Sequence, residues 1–248
     1  MGTVKTAWSA IGTVFLAPLD GNKQPVGGFV EVGNVYPLSL KVETEIKKQL
    51  SRMKGSAGQT LHTKAAVKDI SGTMNMREWD ARNLAWALSG QETKLTASAG
   101  SVTDEAITVV PDEWVKLAHD NISNVTSTGH DIGTDFEVNG PLGLFKALSS
   151  GGISAGALNV SYDYAAETGY RVDVGSKPLI RVAMLVDGRN EYDDRPFTAK
   201  FDAVVLSASS EITFISDPGS EYDELPFTLS FETLPGKTSP GTINGIAM

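Results

Sequence analysis

Apolar and polar residues alternate with a period of two along much of the chain. Leu38, Leu40 and Val42 alternate with Ser39, Lys41 and Glu43, and Ile70, Gly72, Met74 and Met76 alternate with Ser71, Thr73, Asn75 and Arg77. The pattern returns at Phe197, Ala199, Phe201 and Ala203, and again at Leu225, Phe227, Leu229 and Phe231. Side chains of a strand point to alternate faces, so each run predicts a strand with one buried and one polar face. Leu179 to Val186 is apolar on both sides except at Arg181, the pattern of a strand in mid-sheet. Thr13 to Ala17 predicts a further strand; Gly12, Thr13 and Pro18 break the apolar run that a secretion signal would need. A single helix interrupts these strands. Ala81, Leu84, Ala85 and Leu88 fall at i, i+3, i+4 and i+7, with Asp80 placed to cap the start and Gly90 to end it with positive φ. Trp86 lies off that stripe, placed to pack on a neighbouring element.

The middle of the chain has a different character. Residues 1–90 hold 11 Lys/Arg against 7 Asp/Glu, net +4. Residues 91–175 hold 4 against 12, net −8, and residues 176–248 hold 6 against 11, net −5. Within 91–175, short runs such as Ala106 to Val110, Glu113 to Leu117 and Leu158 to Tyr164 are separated by turn signals at Val110-Pro111-Asp112, Asn139-Gly140-Pro141 and Ser150-Gly151-Gly152. The expected architecture is mainly β. Residues 1–90 and 176–248 form a core with one flanking helix, and 91–175 form an inserted small β domain.

Composition narrows the chemistry. There is no Cys among 248 residues, which excludes disulfides, thiolate metal sites and a Cys nucleophile, and fits assembly in a reducing cytoplasm. The net charge of −9 opposes binding of duplex DNA through phosphate neutralisation. No run approaches the roughly 20 apolar residues of a spanning helix. Gly152-Ile153-Ser154-Ala155-Gly156 fits the nucleophile-elbow spacing, but a strand rather than a helix is expected after it, so it reads as a hairpin loop. His119-Asp120 and His130-Asp131 each lack a second His at metal spacing and read as exposed loop residues, and His62, in a polar, basic stretch, carries no better case. No P-loop, dinucleotide fingerprint or paired-carboxylate site appears, and neither an enzyme nor a cofactor is expected.

Two kinds of charged segment remain. Residues 41–68 carry Lys41, Lys47, Lys48, Arg52, Lys54, Lys64 and Lys68 against Glu43 and Glu45, net +5. With Gly55, Ser56, Ala57 and Gly58 at its centre, this stretch is expected to be a mobile loop that orders on an acidic surface. Asp187 to Asp194 and Asp217 to Glu224 are acidic turns that match no Ca²⁺-loop spacing and could supply that surface.

The order of these segments resembles a known family. Gly12 to Pro18, Phe29 to Val35, Leu38 to Glu45, the basic loop, the helix Glu78 to Gly90, and the closing runs Arg181 to Asn190, Ala199 to Ser207 and Thr228 to Thr233 are similar to the tail tube (major tail) protein of long, non-contractile-tailed bacteriophages. The resemblance implies a β-sandwich or barrel core and stacked, hexameric rings forming a hollow tube through which genome DNA passes without specific binding. It implies other phage tail proteins as partners, no membrane binding, and a virion subunit assembled in the host cytoplasm. The loop over 45–68 would contact the adjoining ring through Lys47, Lys48, Leu50, Arg52, Met53, Lys54, Leu61 and Lys64. Asp193, Asp194, Glu221, Asp223 and Glu224 would be the acidic partner surface, and Glu43 and Asp202 would face the lumen. The competing expectation is a secreted or surface-displayed β-sandwich adhesion module.

Overall fold

The computed structural model describes residues 7–217, 219 and 223–244. In chain order the elements are β1 (Ala10–Pro18), β2 (Val30–Glu31), β3 (Val35–Leu50), β4 (Thr60–Met76), α1 (Ala81–Ala87), β5 (Gln91–Ala97), β6 (Gly100–Val109), β7 (Trp114–Lys116) and β8 (Ile122–Thr126). They continue with β9 (Phe136–Asn139), β10 (Leu144–Ala147), β11 (Gly156–Tyr164), β12 (Glu167–Asp173), β13 (Ile180–Asn190), β14 (Pro196–Ala208), β15 (Leu225–Phe231) and β16 (Gly241–Asn244). The protein is mainly β with one helix, and its sheet pairs are antiparallel. It divides into two compact units, Met1–Glu92 with Val172–Met248, and Thr93–Arg171. β5 and β12 pair as a two-stranded sheet of their own.

The first unit is built on an eight-stranded sheet in the order β2-β1-β13-β14-β15-β4-β3, with β16 beside the first half of β14. Register lines up side chains in rows across it. Leu206, Leu229, Gly72 and Leu40 form one row, and Ala208, Phe227, Met74 and Leu38 the next. Between them, on the other face, lies Ser207, Thr228, Thr73 and Ser39, where Ser39 and Thr73 share a 2.7 Å hydrogen bond. The apolar rows converge on one core with Val14, Leu16, Val182, Met184 and Phe231. β13 runs between β1 and β14, as its two-sided apolar pattern predicts, and Val182 and Met184 are fully buried. Gly72 is required by contact rather than conformation: a Cβ there would stand 2.2 Å from the Ser39 carbonyl oxygen.

The helix departs from its expected stripe. Asp80 caps it, its side chain accepting the backbone N–H of Asn83 at 2.6 Å. The buried residues are Asn83, Ala85, Trp86 and Ala87, so Trp86, off the apolar stripe, is the helix's large contribution to the core. Asn83 is buried without penalty because its amide donates to the carbonyls of Val32 and Glu78 at 3.1 Å each. Positive φ falls at Ser89 instead of Gly90. Gly90 serves for close approach, since a Cβ there would lie 2.5 Å from the Asp173 carbonyl oxygen.

The second unit consists of two three-stranded sheets, β7-β10-β9 and β6-β11-β8. Its separate core centres on Phe136 and Phe145, whose rings stack at 4.8 Å, with Val109, Leu117 and Val160 around them. The Gly152 to Gly156 segment joins β10 to β11, which belong to different sheets, so it is a crossover and not a hairpin loop. The strand that follows it removes the strand-turn-helix context a nucleophile elbow needs.

Candidate assembly interface

The basic segment expected as a mobile loop is a β-hairpin. β3 and β4 stay paired from Val35–Met76 out to Leu50–Thr60. Pairing of β4 with β15 stops at Ser71, so from Val42 and Ile70 outward the two strands have no third neighbour among the described residues. This free arm extends about 30 Å at 3.3–3.4 Å per residue. Its turn closes on Ser51, which is buried: Ser51 N–H donates to Gln59 O at 2.7 Å, Gly58 N–H donates to Ser51 O at 2.9 Å, and the Ser51 and Ser56 hydroxyls lie 2.7 Å apart. Backbone pairing supplies the order that the lack of large apolar groups had argued against.

The arm is amphipathic. Register places Val42, Thr44, Ile46 and Lys48 on one face opposite Ile70, Val67, Ala65 and Thr63. The other face carries Glu43, Glu45, Lys47 and Gln49 opposite Asp69, Ala66, Lys64 and His62. The apolar face continues the buried face of the sheet, but none of the described residues covers it. Along the row from Leu229 to Leu40 exposure climbs from 0% to 44%, and Val42, Ile46 and Val67 reach 52%, 58% and 61%. The expectation of a buried face for Leu38, Leu40 and Val42 is therefore corrected: it holds for β4 at its base and fails along β3, the edge strand. Beside the base, Trp8, Leu38, Leu40, Phe197, Phe201 and Phe231 line part of a mostly apolar cleft of about 680 Å³.

The eight arm residues named from the sequence occupy distinct places. Lys47 and Lys64 are directly opposite each other, a repulsive pair relieved by Glu45, 3.4 Å from Lys47. Lys48 lies on the apolar face, Leu50 and Leu61 flank the turn, and Arg52, Met53 and Lys54 are in it. Leu50, Met53 and Leu61 are 53%, 69% and 49% exposed.

The acidic residues do not form one surface. Asp193 and Asp194 follow β13, at the end of the sheet from which the arm projects. Both are engaged locally: Asp193 with Arg195 at 3.2 Å and the Asn190 amide at 2.9 Å, Asp194 with Arg189 at 3.1 Å. Asp223 and Glu224 precede β15, at the opposite end. Glu224 accepts from Asn75 at 2.6 Å and Arg77 at 2.7 Å, while the Asp223 carbonyl accepts the Trp79 indole N–H at 3.1 Å. Glu221 lies outside the described residues.

The two residues named for a lumen carry counter-ions. Glu43 contacts Lys41 at 2.7 Å and Lys68 at 3.8 Å, and hydrogen bonding from Lys41 holds its carboxyl below the usual range. Asp202 pairs with Lys237 at 2.7 Å.

A family model described as "Protein of unknown function UCP028589" matches residues 7–242. The chain belongs to that family. No curated protein matches it. The matched span takes in both compact units, the arm and the cleft.

The two His-Asp pairs lie in the second unit, and neither His119 nor His130 is exposed as expected. His119 is half-buried, its ring stacked on Tyr164 at 3.8 Å. Beside it, Tyr162 donates to Glu105 at 2.5 Å, and its hydroxyl is pushed up to about 12, first by burial and then by that carboxylate. Asp135, 3.8 Å from His130, accepts the N–H groups of Asp131 and Gly152, which lower its pKa. Sequence reasoning missed Ile46 and Val67 as exposed apolar residues of the arm. The signal was available, because the alternation of Leu38, Leu40 and Val42 carries on through Thr44 to Ile46.

Proposed function

We propose that this chain is a structural virion protein, the tail tube subunit of a long, non-contractile-tailed bacteriophage. It stacks as rings into a conduit for genome ejection, in company with the other proteins of the tail. The observation that carries the reading is the uncovered apolar face of the β3–β4 arm, continuous with a buried sheet face. Monomeric proteins rarely leave such a contiguous face to solvent, and a long free edge strand invites pairing with another chain. Self-assembly satisfies both.

The polar face of the sheet supports the conduit role. Ser207, Thr228, Thr73 and Ser39 make a hydroxyl row, and the cations nearest it are matched by carboxylates, Lys41 with Glu43 at 2.7 Å and Arg181 with Glu232 at 2.8 Å. Cations matched by neighbouring carboxylates neutralise few successive phosphates, so DNA moves past without adhering. Negative-stain microscopy of concentrated protein tests the reading: rings or tubes support it, and a uniformly monomeric field overturns it.

A further inference from the structure

A second exposed apolar patch lies at the end of the sheet opposite the arm tip. The segment after β14 is anchored by a Ser209 N–H to Pro226 O hydrogen bond of 3.0 Å and by Ile212, which packs on the core. Beyond that anchor Phe214 and Ile215 turn outward, 64% and 93% exposed. Phe214 meets Trp79 edge to face at 6.1 Å, which fixes the patch to the start of the helical segment. Ordered, exposed aromatic and aliphatic groups of this kind are the usual anchors of a protein interface.

Charge and position decide what covers it. Residues 209–224 hold five acidic groups (Glu211, Asp217, Glu221, Asp223 and Glu224) and no Lys or Arg, net −5. The arm segment 41–68 is net +5. Register separates the two patches along the same strands: Ala208, Phe227, Met74 and Leu38 lie at the patch end, while β3 and β4 run away from it toward the turn after Leu50. An arm pointing away from the patch cannot fold back onto it, so a second copy supplies the complement. We infer that the Phe214–Ile215 patch, framed by Trp79, receives the arm tip of a neighbouring copy, with Leu50, Met53 and Leu61 making the apolar contact. Two different surfaces meet in this contact, so each docked copy presents a fresh patch and the series continues in one direction. Opposite charge on the two segments orients the approach and disfavours tip-to-tip or patch-to-patch encounters. The inference rests on the ring-stacking reading and identifies the receiving surface.

The absence of native Cys makes the test clean. Met53→Cys and Ile215→Cys are prepared separately, on chains distinguishable by mass, and exposed to a mild oxidant alone and mixed. The mixed sample should form an interchain 53–215 disulfide several-fold above either variant alone. Equal cross-linking in all three samples, or none in the mixture, overturns the inference. Circular dichroism of both variants confirms that the exposed positions left the fold intact. Microscopy of the wild type separates the two claims: tubes without a 53–215 bridge leave the stacking reading standing and the receiver wrong. A 53–215 bridge without rings does the reverse.

Discussion

At the residue scale, the contributions that matter are local and chemically specific. The Asp80 side chain satisfies a backbone N–H that α1 would otherwise leave unpaired, so Asp80→Ala should lower stability by about 1 kcal/mol in urea unfolding. Glu232 is held by a two-pronged Arg181 interaction at 2.8 and 3.0 Å and by Lys23 at 2.9 Å. Hydrogen bonding from Arg181 is the largest cause of its lowered pKa, against a smaller opposing effect of burial. A carboxyl with a folded pKa below its unfolded value stabilises the protein above the unfolded pKa and loses that contribution as pH falls through the folded one. Glu232→Gln should therefore lower the melting temperature at neutral pH and flatten its decline in acid. Parallel slopes for the two proteins between neutrality and acid would contradict this assignment.

Elements show where the sequence was legible and where it was not. The alternation in β4 and β15, and in β14 as far as Phe201, marked their buried faces, because those strands lie inside the sheet; a bulge after Phe201 puts Val204 rather than Ala203 on the core face. In β3 the same pattern produced no burial. Alternation records which face is apolar, and only the neighbours of a strand determine whether that face is covered. The arm was read as a loop for a related reason: composition weighs side chains, whereas the hairpin is ordered by backbone pairing and the Ser51 turn. Trp86, off the stripe but expected against a neighbouring element, enters the core because a seven-residue helix can bury more than one narrow stripe. The patch at Phe214 and Ile215 had no periodic signal at all.

The arm's polar residues lend themselves to a charge test. Lys47→Glu, Lys48→Glu and Arg52→Glu together should leave the monomer folded, because all three lie on the free arm, and should slow assembly followed by light scattering. Raising salt should slow wild-type assembly in the same direction, since exposed charges are screened beyond about 8–10 Å near physiological ionic strength. Equal rates for the wild type and the triple variant at low salt would remove arm charge from the mechanism.

On the scale of the whole molecule, two separate hydrophobic cores serve two compact units. The charge steps near Gln91 and Gly175 fall close to β5 and β12, through which the chain leaves and re-enters the first unit. Because no residue of the first core comes from 93–171, replacing that segment with a short flexible linker should leave a cooperative thermal transition. A variant without cooperative unfolding would show that the first unit depends on the second.

The central claim is that this chain exists to build a stack of copies of itself. Negative-stain electron microscopy of purified, concentrated protein at low salt examines it directly. Rings and stacked tubes are expected, their number falling as salt is raised. Isolated monomers at every concentration and salt would contradict it.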